Sequence, residues 1–200
     1  MIDKEYESKI KLATELATKK IMAIHRKSKD NSDDENEIYE YESLFRAMIY
    51  HELMLLGIYF GDVTMDHPII SDNKELKNKK PDIWIENAES GNSYVLEIKM
   101  ILHHEKNKII KQINKDNNNS IINDIRKLCL LMREEPRDVK GIMIVSYQSP
   151  NFSGDDDPID IIDNEIRKLV KKIKPPDSFM LMLSNENFCR VSKAKEIIKK

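Results

Sequence analysis

The sequence lacks the features that mark a membrane, secreted or zinc-binding protein. The chain contains no run of about 18 or more apolar residues, so no membrane-spanning helix is predicted. Residues 1–15 mix charges of both signs and contain no apolar segment typical of a secretion signal. The two cysteines lie far apart, without the cysteine or histidine spacing of a zinc site. We therefore expect a cytoplasmic protein with no disulfide and no contact with membranes.

The chain also has no internal repeat, helicase motif or recognisable target-recognition domain, so its specificity cannot be predicted. It is instead rich in charge, with 34% charged residues and a net charge of −2. Acidic residues dominate positions 30–42, whereas basic residues dominate positions 99–115 and 167–200. The basic segments form either a face for a polyanion or ordinary solvated helix surfaces, and composition alone leaves both interpretations open.

Hydrophobic periodicity predicts an α/β fold. Helices are expected over residues 4–27, 38–56, 120–133, 159–174 and 192–200, and strands over 58–65, 81–86, 93–100, 140–147 and 179–183. Gly57 is expected to end the second helix, and Ser120 is expected to be the N-cap of the third. The polar segment 28–37 interrupts the first two helices. We therefore divide the chain into an N-terminal helix and acidic linker, residues 1–37, and a main domain, residues 38–200.

The second and third predicted strands form a hairpin around Gly91-Asn92, and they are therefore antiparallel. The later strand–helix–strand segment favours parallel pairing, which together with the hairpin predicts a mixed sheet. Glu97 and Lys99 are two residues apart on one strand, so their side chains share one face. The hairpin brings Asp82 beside them. Two facing carboxylates require a cation between them, and hard divalent cations prefer oxygen ligands.

The segments Pro81-Asp82 and Glu97-Ile98-Lys99 resemble the P-D and (D/E)-x-K motifs of the PD-(D/E)XK nuclease superfamily. The order helix, three strands, helix, strand over roughly residues 38–148 also resembles that family's core. The resemblance implies a restriction-endonuclease-like fold, with a central mixed sheet flanked by helices and an extra N-terminal helix. It further implies a nuclease acting on nucleic acid, most simply DNA, with Mg²⁺ or Mn²⁺ as cofactor. Asp82, Glu97 and the Ile98 carbonyl would bind the metal, and Lys99 would assist hydrolysis.

Two flanking helices supply further residues that the resemblance implies. Glu42, on the preceding helix, would point at the metal, with Glu52 as a competitor. Lys127, on the following helix, would lie near the scissile phosphate, ahead of Asp124 and Arg126. We also expect three lysines in the segment after the motif to contact nucleic acid: Lys106, Lys108 and Lys111.

Several alternatives remain open. Asp82 could begin a strand with a simple turn, and Glu97 with Lys99 could form an exposed ion pair. Trp84 could stack on a base or cover the sheet, whereas His103-His104 and Asp155–Asp157 are expected in surface loops. At the level of function, one alternative is a catalytically silent nucleic-acid-binding scaffold on the same fold. Another is an unrelated α/β protein whose first two helices form a dimer interface, although a nuclease of this type could also be a homodimer.

Overall fold

A six-stranded mixed sheet flanked by helices forms the centre of the protein, as the hydrophobic pattern predicts. The structure is a computed structural model, and it describes residues 2–25, 35–58, 62–66, 68–69, 73–74, 76, 79–87, 90–103, 105–114, 120–135, 138–148 and 157–199. The helices are α1 (Ile2–His25), α2 (Glu35–Leu55), α3 (Lys106–Asn114), α4 (Ile121–Glu134), α5 (Pro158–Ile173) and α6 (Ala194–Lys199). The strands are β1 (Val63–Met65), β2 (Ile83–Asn87), β3 (Asn92–Ile101), β4 (Val139–Tyr147), β5 (Met180–Ser184) and β6 (Cys189–Lys193).

The strands lie in the sheet in the order in which they occur in the chain. β2 is antiparallel to both of its neighbours, β1 and β3; β3, β4 and β5 are parallel, and β6 is antiparallel to β5. The predicted hairpin of β2 and β3 is confirmed. Gly91 at its turn has a φ of +72°, a conformation that side-chain-bearing residues rarely adopt.

Helices cover both faces of the sheet. α1 and α2 pack on one face, where Ile10, Phe45 and Ile144 are fully buried in one core. α3, α4, α5 and α6 pack on the other face and enclose a second core. Because side chains alternate along a strand, Ile98 faces the α1–α2 core, and Glu97 and Lys99 face the α4 side. α1 thus packs in the same core as the sheet. The predicted division of the chain after residue 37 placed α1 outside the main domain.

Three element boundaries differ from the predictions. α2 begins at Glu35, so residues 35–37 are helical rather than part of a linker, consistent with the good helix propensity of glutamate. Ile58 does not begin a strand, because its N–H bonds to the Leu53 carbonyl at 3.1 Å and closes the C-terminus of α2. Gly57, predicted to stop this helix, has the expected positive φ of 78°.

The third difference lies at the C-terminus, where β6 precedes a shorter helix than predicted. In the sequence of β6, CRVSK, the side chains of Cys189 and Ser192 are buried, that of Arg190 is exposed and the other two are half-buried. Its five residues contain too few apolar positions to produce a clear two-residue period.

Cys189 in this strand and Cys129 in α4 are both buried free thiols. Within the described ranges, no helix is long and apolar enough to cross a membrane.

Ser120 is the N-cap of α4, as predicted, and its side chain accepts a hydrogen bond from the Asn123 N–H at 3.4 Å. We expect Ser120→Ala to lower the free energy of unfolding by about 1 kcal/mol, because the Asn123 N–H loses its side-chain acceptor and keeps only the Ser120 carbonyl at 3.1 Å. Denaturant unfolding followed by circular dichroism measures the change. Ser8→Ala, within α1, is the control and should be nearly neutral. If the two variants are equally stable, the Ser120 side chain does not stabilise the N-terminus of α4, and this prediction is wrong.

Candidate active site

The candidate site forms where β3 runs past the end of β2. β2 begins at Ile83, which pairs with Leu96, so residues 97–101 of β3 have no β2 partner. On its other side, β3 stays paired with β4 through Ile101. The backbone of this segment therefore has one open edge, and side chains from other elements bind its polar groups. The Ile98 N–H donates to Asp82 at 2.7 Å, and the Met100 N–H donates to Glu42 at 3.5 Å.

Asp82 immediately precedes β2 and lies at the position that would continue its pairing with β3. One of its oxygens accepts the Ile98 N–H, and the other accepts a hydrogen bond from Arg46 of α2 at 3.3 Å. Arg46 also binds Asp66 at 3.0 Å. Asp82 is therefore fixed from two directions, with about a fifth of its side chain exposed.

Lys99 lies between two carboxylates that come from opposite sides of the sheet. Its ammonium is 2.9 Å from Glu42 of α2 and 3.5 Å from Asp124 of α4. Burial alone would lower the pKa of Lys99, but these two carboxylates outweigh it and raise the pKa above its ordinary value. Lys99 is therefore a cation held in place, with only 12% of its side chain exposed.

Glu97 is the most deeply buried carboxylate of the group, with 3% of its side chain exposed. Burial raises its pKa well above the ordinary value, and the negative charge of Asp82 raises it further. Asp82 and Glu97 thus lie close enough to repel, as expected if the hairpin brings them together. The ammonium of Lys127 lies 2.6 Å from Glu97 and opposes this effect.

Asp124 connects the two lysines. Its carboxylate lies 3.5 Å from Lys99 and 3.7 Å from Lys127. Burial raises the pKa of Asp124, and likewise that of Glu42, whereas the neighbouring Lys99 lowers both. The site is accordingly a nearly dry network of carboxylates and ammonium groups, in which each charge depends on its neighbours. We call it the acidic cluster: Glu42, Asp82, Glu97 and Asp124, with Lys99 and Lys127.

The other residues considered from sequence lie outside the acidic cluster. Glu52, the competitor of Glu42, is buried against α1 and forms an ion pair with Lys20. Arg126 is exposed and binds Asn123 at 3.0 Å. Trp84 is 4% exposed and packs in the core, so it covers the sheet rather than presenting a surface for a base.

The predicted nucleic-acid contacts on α3 are at the surface. Lys106 and Lys111 are exposed, and Lys108 pairs with Glu105 at 3.0 Å. Asp157 is the N-cap of α5, while His104, Asp155 and Asp156 lie outside the described residues. A role for the α3 lysines in binding nucleic acid stays a prediction.

The donor atoms of the acidic cluster match the chemistry of a hard divalent cation. Carboxylate oxygens are the ligands that Mg²⁺ and Mn²⁺ prefer, and a cation between Asp82 and Glu97 would relieve the repulsion that raises the pKa of Glu97. Ile98 directs its N–H toward the open edge, and a strand residue directs its carbonyl to the same side. In the described part of the chain, no three acidic, histidine or cysteine side chains already form a group that could hold a metal.

Two residues of this region were not singled out from the sequence: Arg46 was not considered, and Asp124 was considered only as an alternative to Lys127. Arg46 follows Glu42 by four residues, so both lie on one face of α2. Asp124 precedes Lys127 by three residues, and the two similarly share a face of α4. Both spacings can be recognised in the sequence, but the sequence alone does not show which helix face packs against the open edge of β3.

Comparisons with protein-family models, with curated proteins and with solved structures gave no match for this chain. The function of the acidic cluster is therefore argued from its own residues and their geometry.

Proposed function

We propose that this protein is a Mg²⁺- or Mn²⁺-dependent nuclease of the PD-(D/E)XK type, acting on DNA, with a restriction-endonuclease-like core. The observation that carries the proposal is the convergence of Asp82, Glu97 and Lys99 at the unpaired edge of β3. The order α2, three strands, α3, α4 and β4, in which two helices rather than one precede β4, supports the same assignment. An exposed ion pair on an edge strand, the simplest alternative, disagrees with the burial of Glu97 and Lys99.

Asp82, Glu97 and the Ile98 carbonyl are the groups that would hold the metal. Arg46 and the Ile98 N–H fix Asp82, which limits the conformations that its carboxylate can adopt. When bound, the cation would supply a Lewis acid for phosphoryl oxygens and lower the pKa of a water molecule. The protein's own contribution is to orient these oxygen ligands in a site from which most water is excluded.

Lys99 would orient the attacking water and offset the negative charge that develops on phosphorus. Its ammonium is fixed by Glu42 and Asp124 and remains charged at neutral pH, since these carboxylates raise its pKa. A fixed charge needs little reorganisation during the reaction, which is how such groups lower a barrier. In the hydrolysis, the water oxygen forms a bond to phosphorus, and the bond from phosphorus to one sugar oxygen breaks. The proton lost by water ends on solvent, and the leaving oxygen gains one.

The proposal is tested by incubating the protein with linear, supercoiled and single-stranded DNA, with Mg²⁺, with Mn²⁺ and with EDTA. We expect cleavage that requires the metal and falls by about 100-fold in Lys99→Ala, the size of effect seen when one charge-stabilising donor is removed. Lys19→Ala, at an exposed position of α1, is the matched control and should cleave like the wild type.

Two results would contradict the proposal. If the wild type binds DNA but cleaves none of these substrates, nor RNA, with either metal, the protein is a catalytically silent scaffold. If Lys99→Ala and Lys19→Ala cleave equally well, the activity comes from elsewhere in the protein or from a contaminant.

A further inference from the structure

A charged groove lies between α5 and β6, at the edge of the sheet farthest from β1. The groove has a volume of about 820 Å³ and shares no residue with the acidic cluster. One face of α5 lines it from Asp163 to Lys171, and the opposite wall comes from β6 and α6. The proposed nuclease reaction makes no use of this groove.

Basic side chains outnumber acidic ones in the groove, although the whole chain has a net charge of −2. The basic residues are Arg167, Lys168, Lys171 and Arg190, and the acidic residues are Asp163 and Glu196. Lys168 is paired at 2.5 Å with Glu165, which does not line the groove, so the excess of positive charge comes from the other three basic residues. Of these acids, Glu196 already accepts a hydrogen bond from the Lys193 backbone N–H at 3.1 Å. A local excess of positive charge in a concave surface favours an anionic ligand.

The two arginines of the groove are held in defined orientations. Asp163, which is 8% exposed, binds Arg167 at 2.8 Å through one oxygen and Arg190 at 3.3 Å through the other. Arg167 also donates to the Ser192 hydroxyl at 3.1 Å, and the Arg190 guanidinium lies 5.5 Å from the ring centre of Phe188. Such support lowers the entropic cost of binding a ligand, because the side chains are already ordered.

Arg190 keeps N–H groups that are available to an anion. A guanidinium carries five N–H donors; Asp163 takes one from each arginine, and Ser192 takes another from Arg167, whose side chain is mostly buried. Nearly half of the Arg190 side chain is exposed. Lys171 is exposed and has no ion-pair partner among the residues that the structure describes. Paired guanidinium groups with nearby lysines suit phosphate oxygens arranged along a chain.

The sheet register relates the groove to the acidic cluster. Arg190 lies in the same cross-strand row as Lys99, and the row passes through Leu183 and Val145. β6 is three strands away from β3, which corresponds to roughly 14 Å at about 4.8 Å per strand. A duplex rises about 3.4 Å per base pair, so the substrate would have to extend at least about four base pairs beyond the cleavage site to reach the groove.

From these contacts we infer that the α5–β6 groove is a second, non-catalytic binding site for the phosphodiester backbone of nucleic acid. The identity of the ligand rests on the proposed nuclease function, whereas the anionic character of the ligand rests on the groove alone. The groove would hold a distant part of the substrate while the acidic cluster acts on the scissile bond.

The test compares the double variant Lys171→Gln/Arg190→Gln with the control Lys4→Gln/Lys19→Gln, which removes the same charge from α1. Binding of a labelled duplex of about 30 base pairs is measured by fluorescence anisotropy in EDTA over a range of salt concentrations. We expect the groove variant to bind roughly tenfold more weakly. Its plot of log K against log salt should be shallower, with the magnitude of the slope smaller by about 1.8, because each of the two lost phosphate contacts contributes about 0.9. The control should bind nearly like the wild type. Arg167 remains in the variant as a partner for Asp163, so the fold should be retained, which circular dichroism verifies.

Equal affinities and salt slopes for the groove variant and the control would overturn the inference, as would absence of DNA binding by the wild type. Competition by poly-glutamate as effective as competition by unlabelled DNA of equal charge would also overturn it, in favour of an acidic protein partner. Cleavage in Mg²⁺ is measured separately. If the groove variant loses affinity and no protein cuts DNA, the groove inference stands and the proposed nuclease function fails. If the wild type cuts DNA and the groove variant binds DNA as tightly as the wild type, the proposed nuclease function stands and the groove inference fails.

Discussion

Replacing Glu97 by glutamine is expected to reduce metal-dependent cleavage by at least about 1000-fold, the largest effect on activity among single substitutions in this protein. The substitution keeps the size of the side chain and removes its charge. Because Glu97 is almost fully buried and lies close to Asp82, its charge is what would draw a divalent cation into this position. Cleavage is measured by single-turnover kinetics with DNA, and Mn²⁺ affinity is measured by calorimetry on the same preparation.

The calorimetric measurement separates a metal-binding role from a purely structural one. We expect Mn²⁺ affinity to fall together with cleavage in Glu97→Gln, while Glu5→Gln, an exposed position of α1, changes neither. Unchanged Mn²⁺ affinity in a folded Glu97→Gln protein would show that Glu97 is not a metal ligand. Cleavage at the wild-type rate would disprove the assignment of the acidic cluster as the active site.

Replacing Lys127 by methionine is expected to lower the free energy of unfolding by about 3 kcal/mol in EDTA, the largest effect on stability that we predict. The reason is that Glu97 would lose the cation 2.6 Å away and remain buried without a close partner. Breaking one half of a buried ion pair costs more than removing both halves. Urea unfolding measures the change, and Lys19→Met at an exposed site is the control, expected within about 0.5 kcal/mol of the wild type.

A double-substitution cycle shows whether the loss of stability comes from the Glu97 charge. Lys127→Met combined with Glu97→Gln should recover most of the stability lost in Lys127→Met alone.

The pH dependence of stability provides a second test. The pKa of Glu97 is raised in the folded protein, so the folded state binds its proton more readily than the unfolded chain does. Stability therefore decreases as pH rises from the ordinary glutamate pKa toward the folded value, and the effect of Lys127→Met should be larger at about pH 8 than at about pH 5. Equal destabilisation at both values, with no recovery in the double variant, would indicate a packing effect instead.

The sequence predicted that Asp82, Glu97 and Lys99 lie near one another, and it predicted this better than the edges of the fold. The roles of these residues stay predictions. The two-residue spacing of Glu97 and Lys99 and the turn at Gly91 were sufficient to bring Asp82 beside Glu97. The hairpin, the mixed sheet and the cap at Ser120 followed from local patterns in the same way. In each case the information lies within a short segment, where alternation and turn chemistry determine the geometry.

The features that the sequence left open or did not reveal depend on distant contacts. Nothing within α2 distinguishes Glu42, which reaches β3, from Glu52, which pairs with a residue of α1. Arg46 similarly acquires its importance only when α2 packs near Asp82 and Asp66. β6 is too short and too polar for its periodicity to be recognised, and it becomes a strand because β5 offers it a pairing edge.

The candidate active site exists because one strand is short. If β2 began four residues earlier, its backbone would pair with β3 as far as Met100, and main chain would bind the backbone groups of Ile98 and Met100 that Asp82 and Glu42 now bind. The chemistry of this protein therefore depends on the length of a secondary-structure element as much as on the identity of its acidic and basic residues. A redesigned chain that kept every side chain of the acidic cluster but lengthened β2 would be a better-formed sheet with no room left for a substrate.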